Sequence, residues 1–241
     1  MSAMLITLYG TIAGMIGTIL GGILGVIIKQ KSKTFLSVSL SLAAGIMVAV
    51  TTFDLIPRAV EYSGIVTTIL GILAGVLFMM YLENIICKKN LFNASNPNIK
   101  IALLTAVGIA MHNFPEGLAI GSGFDISTTL GFKLMLIIAI HDIPEGFIVA
   151  LPMRRGGASI FRTMLWTFIA GAPVGIGALI GAMSGKISNG VISINLALAA
   201  GAMLYVVFCD LLPQSGDLHR GRINGVGVTF GIILGILISF I

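Results

Sequence analysis

Long apolar runs separated by short polar links make up nearly the whole chain of 241 residues. A helix rises about 1.5 Å per residue and the hydrocarbon of a bilayer is about 30 Å thick, so about 20 apolar residues are enough to cross it. By that measure eight runs predict transmembrane helices, at roughly 2–28, 34–56, 64–87, 100–122, 128–152, 160–184, 190–213 and 223–241. Only the link Lys88–Lys100 (KKNLFNASNPNIK) has linker composition, so residues 1–241 are expected to form a single transmembrane domain with no soluble module. The first run has no basic segment before it and continues unbroken to Ile28, which marks a retained span rather than a cleaved signal.

Two self-similarities organise these spans. AGIMVAVTTFDLIP (44–57) matches AGAMLYVVFCDLLP (200–213) at an offset of 156 residues, and HNFPEG (112–117) matches HDIPEG (141–146). The first pair lies in spans 2 and 7, five crossings apart, and the second in the adjacent spans 4 and 5. Each pair must therefore run antiparallel, which is the signature of inverted repeats in secondary transporters. The predicted fold class is an all-α polytopic membrane protein with eight transmembrane helices in a 3+2+3 inverted-repeat arrangement. Glycines four apart (Gly17, Gly21, Gly25; Gly177, Gly181, Gly185; Gly227, Gly231, Gly235) predict close helix packing. Static packing and sliding faces both satisfy that pattern.

A composition of 57% hydrophobic and 10% charged residues, with mean hydropathy +1.08, agrees with a membrane protein surrounded by lipid. The formal charge of +5 could suggest nucleic acid as a partner, but the basic residues are spread among links and form no patch. Eleven of the 14 lie in the links after spans 1, 3, 5 and 7, whereas Arg58, Lys133 and Lys186 lie in the others. The positive-inside rule then puts the odd links in the cytoplasm and both termini outside, for a multi-pass protein of the cell (plasma) membrane. Cys87 and Cys209 form no metal-binding spacing.

The expensive residues carry the chemistry. On a helix, His112 shares a face with Glu116, and His141 with Glu145, while Asn113 and Asp142 stand about 100° further round. A carboxylate at mid-bilayer costs on the order of 3 kcal/mol, and no basic residue lies within a helical turn of either motif to pair with it, so the cluster calls for a cation. With the motifs level, His112, Asn113, Glu116, His141, Asp142 and Glu145 form a nitrogen and oxygen set suited to Zn²⁺, Fe²⁺, Mn²⁺ or Co²⁺; Cd²⁺ also fits. The glutamates could bridge two adjacent ions. Pro115 and Pro144 are expected to kink both helices, and Gly117 and Gly146 to admit close neighbours. Asp54 and Asp210 are candidate vestibule ligands or interfacial helix-end residues. The repeat mates Met47 and Met203 read as packing residues or soft ligands along the pathway.

HNFPEGLAIG and HDIPEGFIVALP resemble the signature of ZIP (Zrt-, Irt-like protein) divalent-metal transporters, particularly bacterial members, and the likeness runs over essentially the whole chain. The resemblance implies a binuclear centre lined by His112, Asn113, Glu116, His141, Asp142 and Glu145, with Met47 at the position of a further span 2 ligand. It also implies that the bundle of spans 1, 4, 5 and 6 moves against that of spans 2, 3, 7 and 8. Two departures bear on the chemistry. Val174 stands where many bacterial members carry a span 6 glutamate, which favours a single principal site. His141 stands where other members have glutamine, which favours borderline metals.

The expected function is secondary transport of divalent transition metal, zinc first, into the cytoplasm. The metal is cargo and no cofactor is expected. An intramembrane metal-binding channel or sensor could use the same ligands. A metalloprotease is disfavoured because the chain has no HExxH. The glycine-rich faces would permit a homodimer.

Overall fold

The computed structural model describes residues 2–27, 33–88 and 96–240, and contains no strand among them. Its helices are α1 (Ala3–Ile27), α2 (Lys33–Val50), α3 (Ile56–Lys88), α4 (Pro97–Ile126), α5 (Thr128–Arg155), α6 (Ile160–Gly171), α7 (Pro173–Ser184), α8 (Asn189–Val206), α9 (Leu212–Leu218) and α10 (Arg222–Ser239). π-Helical turns at Thr51–Leu55 and Val207–Leu211 join α2 to α3 and α8 to α9. These turns carry Asp54 and Asp210, so the two matching segments share a local distortion as well as a sequence. Lys29, Lys31, Lys89 and most of the 88–100 link lie outside the described residues.

Among the described residues, six helical stretches are long and apolar enough to cross a bilayer. α4 has 30 residues but is not among them, because HNFPEG lowers its hydropathy. The stretch Lys33–Ile85, at 53 residues, far exceeds one bilayer thickness. It is interrupted at Gly64, whose φ of 77° lies in the left-handed region open to glycine. On either side the neighbour α8 reads in opposite senses. Ser193 donates to the Ala59 carbonyl and Gly190 sits beside Ser63, whereas Ala197 meets Gly71 and Leu198 meets Gly75. The chain therefore doubles back at Gly64.

Polar side chains at the links fix where other helices begin. The Asn96 side chain accepts from the Asn98 and Ile99 amides ahead of Pro97, and Ser127, Ser159 and Ser188 each cap the following helix. Ser127, extended at φ −159°, is the only residue between α4 and α5, so these helices fold back on each other directly. Both run on through Pro115 and Pro144. The stretch expected as span 6 breaks instead at Ala172, before Pro173.

Packing sorts the helices into two bundles. α1, α4, α5, α6 and α7 pack on one another. α2 pairs with α10 and α3 with α8, and the two pairs, joined mainly through the π-helical turns and α9, make the second bundle, which meets the first where α4 faces α8 and α2 faces α5. Glycine contacts follow the same division. A methyl group built on Gly21 would stand 2.0 Å from the Ile143 carbonyl oxygen, on Gly146 1.9 Å from that of Thr18, and on Gly117 1.9 Å from that of Val174. All three lie inside the first bundle. In the second, Gly45 meets Val228, Gly75 meets Leu198 and Gly201 meets Ile72. Among the described residues no glycine makes such an approach between bundles. The first bundle is consequently one close-packed body and the second holds two close-packed helix pairs, and static packing is the reading the structure supports.

Gly21→Ala is expected to destabilise the protein by roughly 1–3 kcal/mol through overpacking against α5. Gly108→Ala, where a methyl group meets nothing within 4 Å, should be neutral or slightly stabilising, as thermal unfolding in detergent would record.

Candidate metal centre

The one-residue link at Ser127 sets the register of the two motifs. His112 and Glu145 lie 15 and 18 residues from it, and Glu116 and His141 lie 11 and 14, so the stagger is the same for both pairs. Antiparallel packing then sets each histidine opposite the other helix's glutamate. His112 Nε2 is 3.1 Å from Glu145 Oε2, and His141 Nε2 is 3.1 Å from Glu116 Oε1. Residues four apart on one helix point side by side, which is why the pairing crosses between helices rather than running along either.

All six motif side chains are buried; His112 is 5% exposed and the other five 0%. The His141 ring defines what the centre lacks. Its Nδ1 lies 3.0 Å from the Ile137 carbonyl oxygen, which can only accept, so Nδ1 carries the proton. In the neutral ring the Nε2 lone pair then faces Glu116 Oε1 and, at 3.4 Å, Asp142 Oδ1. Acceptors converge on acceptors there. The same backbone-held tautomer is the usual arrangement of a histidine that ligates metal through its other nitrogen.

Asn113 is oriented from outside the pair. Its Nδ2 donates to the Ala170 carbonyl at 2.8 Å, just before the α6–α7 break. With the amide nitrogen so engaged, Oδ1 is turned elsewhere and has no partner. Glu116 Oε2, Glu145 Oε1 and both oxygens of Asp142 are likewise buried without a hydrogen bond. Five buried oxygens without a hydrogen bond in one cluster call for an explanation, for which a bound ion or water would serve. Ligand atoms of Glu116, His141 and Asp142 lie within 4.8 Å of one another, a spacing that one metal ion can bridge.

The remaining sequence candidates separate. Asp210 is exposed in a cavity of about 620 Å³ that His112 also lines and that runs past Glu83, Tyr205 and Cys209 to Lys100 and Asp217. Asp54 is buried at the opposite end, where it accepts from the Ser239 hydroxyl. Met47 is fully buried and makes no hydrogen bond, and Met203 Sδ lies 4.0 Å from Thr51 Oγ1. Val174 is buried against Gly14 and brings no ligand atom.

Sequence reasoning missed Glu83, which accepts from the Tyr205 hydroxyl on the cavity wall. An acid inside an apolar run is itself the signal that could have found it.

A family model described as "ZIP Zinc transporter" matches residues 93–241, which include both motifs and all of this geometry except the α1–α3 side. The chain belongs to the ZIP zinc transporter family. The zinc transporter ZupT of Streptococcus mutans is 28% identical over 233 residues, covering 86% of each protein. ZupT of Chlorobium chlorochromatii is 28% identical over 227 residues, 82% of this chain and 84% of that protein. The zinc transporter GufA of Myxococcus xanthus is 33% identical over 142 residues, 57% of this chain, and the match spans about half of GufA, 55%. Members of this ZIP family are transporters and not enzymes. Together with the apolar helices, that makes this ZIP protein a multi-pass membrane protein.

Because the orphaned carboxylates are costly without a cation, Asp142→Asn is expected to raise the melting temperature of the metal-free protein. The same variant should lose most of the further rise that Zn²⁺ produces in the unaltered protein, which a pair of melting curves would measure.

Proposed function

We propose that this ZIP protein is a secondary carrier that moves divalent transition metal, zinc first, into the cytoplasm through His112, Asn113, Glu116, His141, Asp142 and Glu145. The observation that carries the proposal is the set of five partnerless buried oxygens facing two imidazoles at the inner end of an open cavity. The zinc transporters to which the chain is similar support zinc as cargo.

A divalent ion would take the His141 Nε2 lone pair and the orphaned oxygens as ligands in place of water. His112, at the rim, would be the last of the six it leaves on the way to the cavity. A single principal position fits the ligands present, since Val174 offers none. The cavity's other end carries Lys100 and Asp217. Lys33, Arg154, Arg155, Arg162, Arg220 and Arg222 belong to helix ends or links on that same side by the order of the chain, whereas Arg58, Lys133 and Lys186 belong to the other. The positive-inside rule then supports a cavity open to the cytoplasm in an eight-crossing, 3+2+3 arrangement.

The packing of both motif helices with α1 and α7 through glycines, with no glycine contact across the boundary among the described residues, supports alternating access. The site's ligands ride on α4 and α5 of the first bundle, while Glu83, Tyr205 and Asp210 belong to the second. A displacement of one body along the other would carry the site from one side to the opposite side without remaking either interior.

Zinc entry into proteoliposomes with a trapped metal-sensitive dye is expected to saturate, and to fall at least about tenfold in Glu116→Ala and Glu145→Ala. Protein that binds zinc but passes none would place these residues in a sensor.

A further inference from the structure

The interface between the two bundles is open at one end and bonded at the other. The cavity that reaches His112 occupies the end where α4 begins and α9 finishes. At the opposite end, two polar groups reach from one bundle to the other. Asn195 of α8, 8% exposed, donates through Nδ2 to Ser122 Oγ of α4 at 3.0 Å and to Ser184 Oγ of α7 at 2.8 Å. Lys133 of α5 donates to the carbonyl of Ser239 at the end of α10, and the Ser239 hydroxyl donates to Asp54.

Polar bonds also occur inside the bundles, as between Ser193 and Ala59, but there they accompany glycines set against backbone. That type of contact cannot be undone without separating helices, and it is not found across the boundary among the described residues. The Asn195 and Lys133 bonds can be exchanged for water singly, as contacts between parts that move must be. Repeat symmetry points the same way. Asp54 and Asp210 occupy matching π-helical turns, yet Asp54 is buried at the bonded end and Asp210 is exposed at the open end.

We propose that Asn195 with Ser122 and Ser184, and Lys133 with Ser239 and Asp54, are two cross-bundle clasps that hold the protein in its cavity-open state. Both must release before the metal site can face the other side. The clasps rest on the alternating-access reading, because a fixed pore would have no second state for them to oppose. Weakening either one shifts the population toward the state in which the cavity is shut.

Cys209 reports that shift, since it is exposed and lines the cavity. In a Cys87→Ser background it is the sole thiol, as the chain has 2 cysteines. Its rate of modification by a maleimide, in protein reconstituted in nanodiscs, is expected to fall at least about threefold in Asn195→Ala and in Lys133→Met. Ser193→Ala removes a bond to the Ala59 carbonyl inside the second bundle and should leave the rate unchanged. Rates equal to the parent's in both clasp variants would overturn the clasps, as would an equal fall in Ser193→Ala, which would mark general loosening. A short thiol crosslink between Ser122→Cys and Asn195→Cys, with both native cysteines replaced by serine, separates this proposal from the reading beneath it. Crosslinked protein that still passes Zn²⁺ would sink alternating access itself. Blocked flux together with unchanged Cys209 labelling would sink the clasps alone.

Discussion

A carboxylate oxygen enclosed by protein and lipid must find a proton, a donor or a cation, and the centre of this molecule offers its oxygens too few of the first two. Much of the surrounding architecture keeps that deficit in place. The single-residue turn at Ser127 staggers α4 and α5 so that the histidines fall opposite the glutamates. The Ile137 carbonyl holds one tautomer of His141, and the Ala170 carbonyl holds one orientation of Asn113. Each of these uses up a donor that could otherwise have turned inward. What remains is a concentration of buried lone pairs without a donor facing them.

The break between α6 and α7 belongs to the same scheme. Pro173 interrupts the helical ladder beside the motif, and the carbonyl of Ala170 near that break accepts from a side chain on α4. The α6–α7 stretch thereby helps to orient Asn113, a motif side chain borne by a neighbouring helix. The two π-helical turns act at longer range, since each widens the backbone where an aspartate projects near the boundary between bundles.

The paired motifs were legible because polar residues in an apolar run are rare and costly, and their repetition at 29 residues excluded chance. Their cross-helix pairing was not, since the rule for residues four apart describes one helix and is silent about the stagger between two. The glycine spacing announced close contacts but not their partners, which only the packing of Gly21 on Ile143 and Gly45 on Val228 reveals. Runs of apolar residues marked most spans within a few positions. They missed the interruption at Ala172, where the proline in AGAPVG was the available sign. The roles of Glu83 and Asn195 and the partner of Lys133 went unread for a common reason: a lone polar residue takes its meaning from a partner distant in sequence, such as Tyr205, Ser122 or Ser239.

The confinement of backbone-to-backbone glycine contacts to the bundle interiors also bears on how such a chain can change over generations. At Gly21, Gly117, Gly146, Gly45, Gly75 and Gly201 an added side-chain atom would collide with a backbone carbonyl, so those contact points tolerate almost no variation. The boundary between bundles is lined by side chains rather than bare backbone, and it can accept substitutions that leave the packing inside each bundle intact. Variation along that boundary and variation on the two motif-bearing helices can therefore proceed separately.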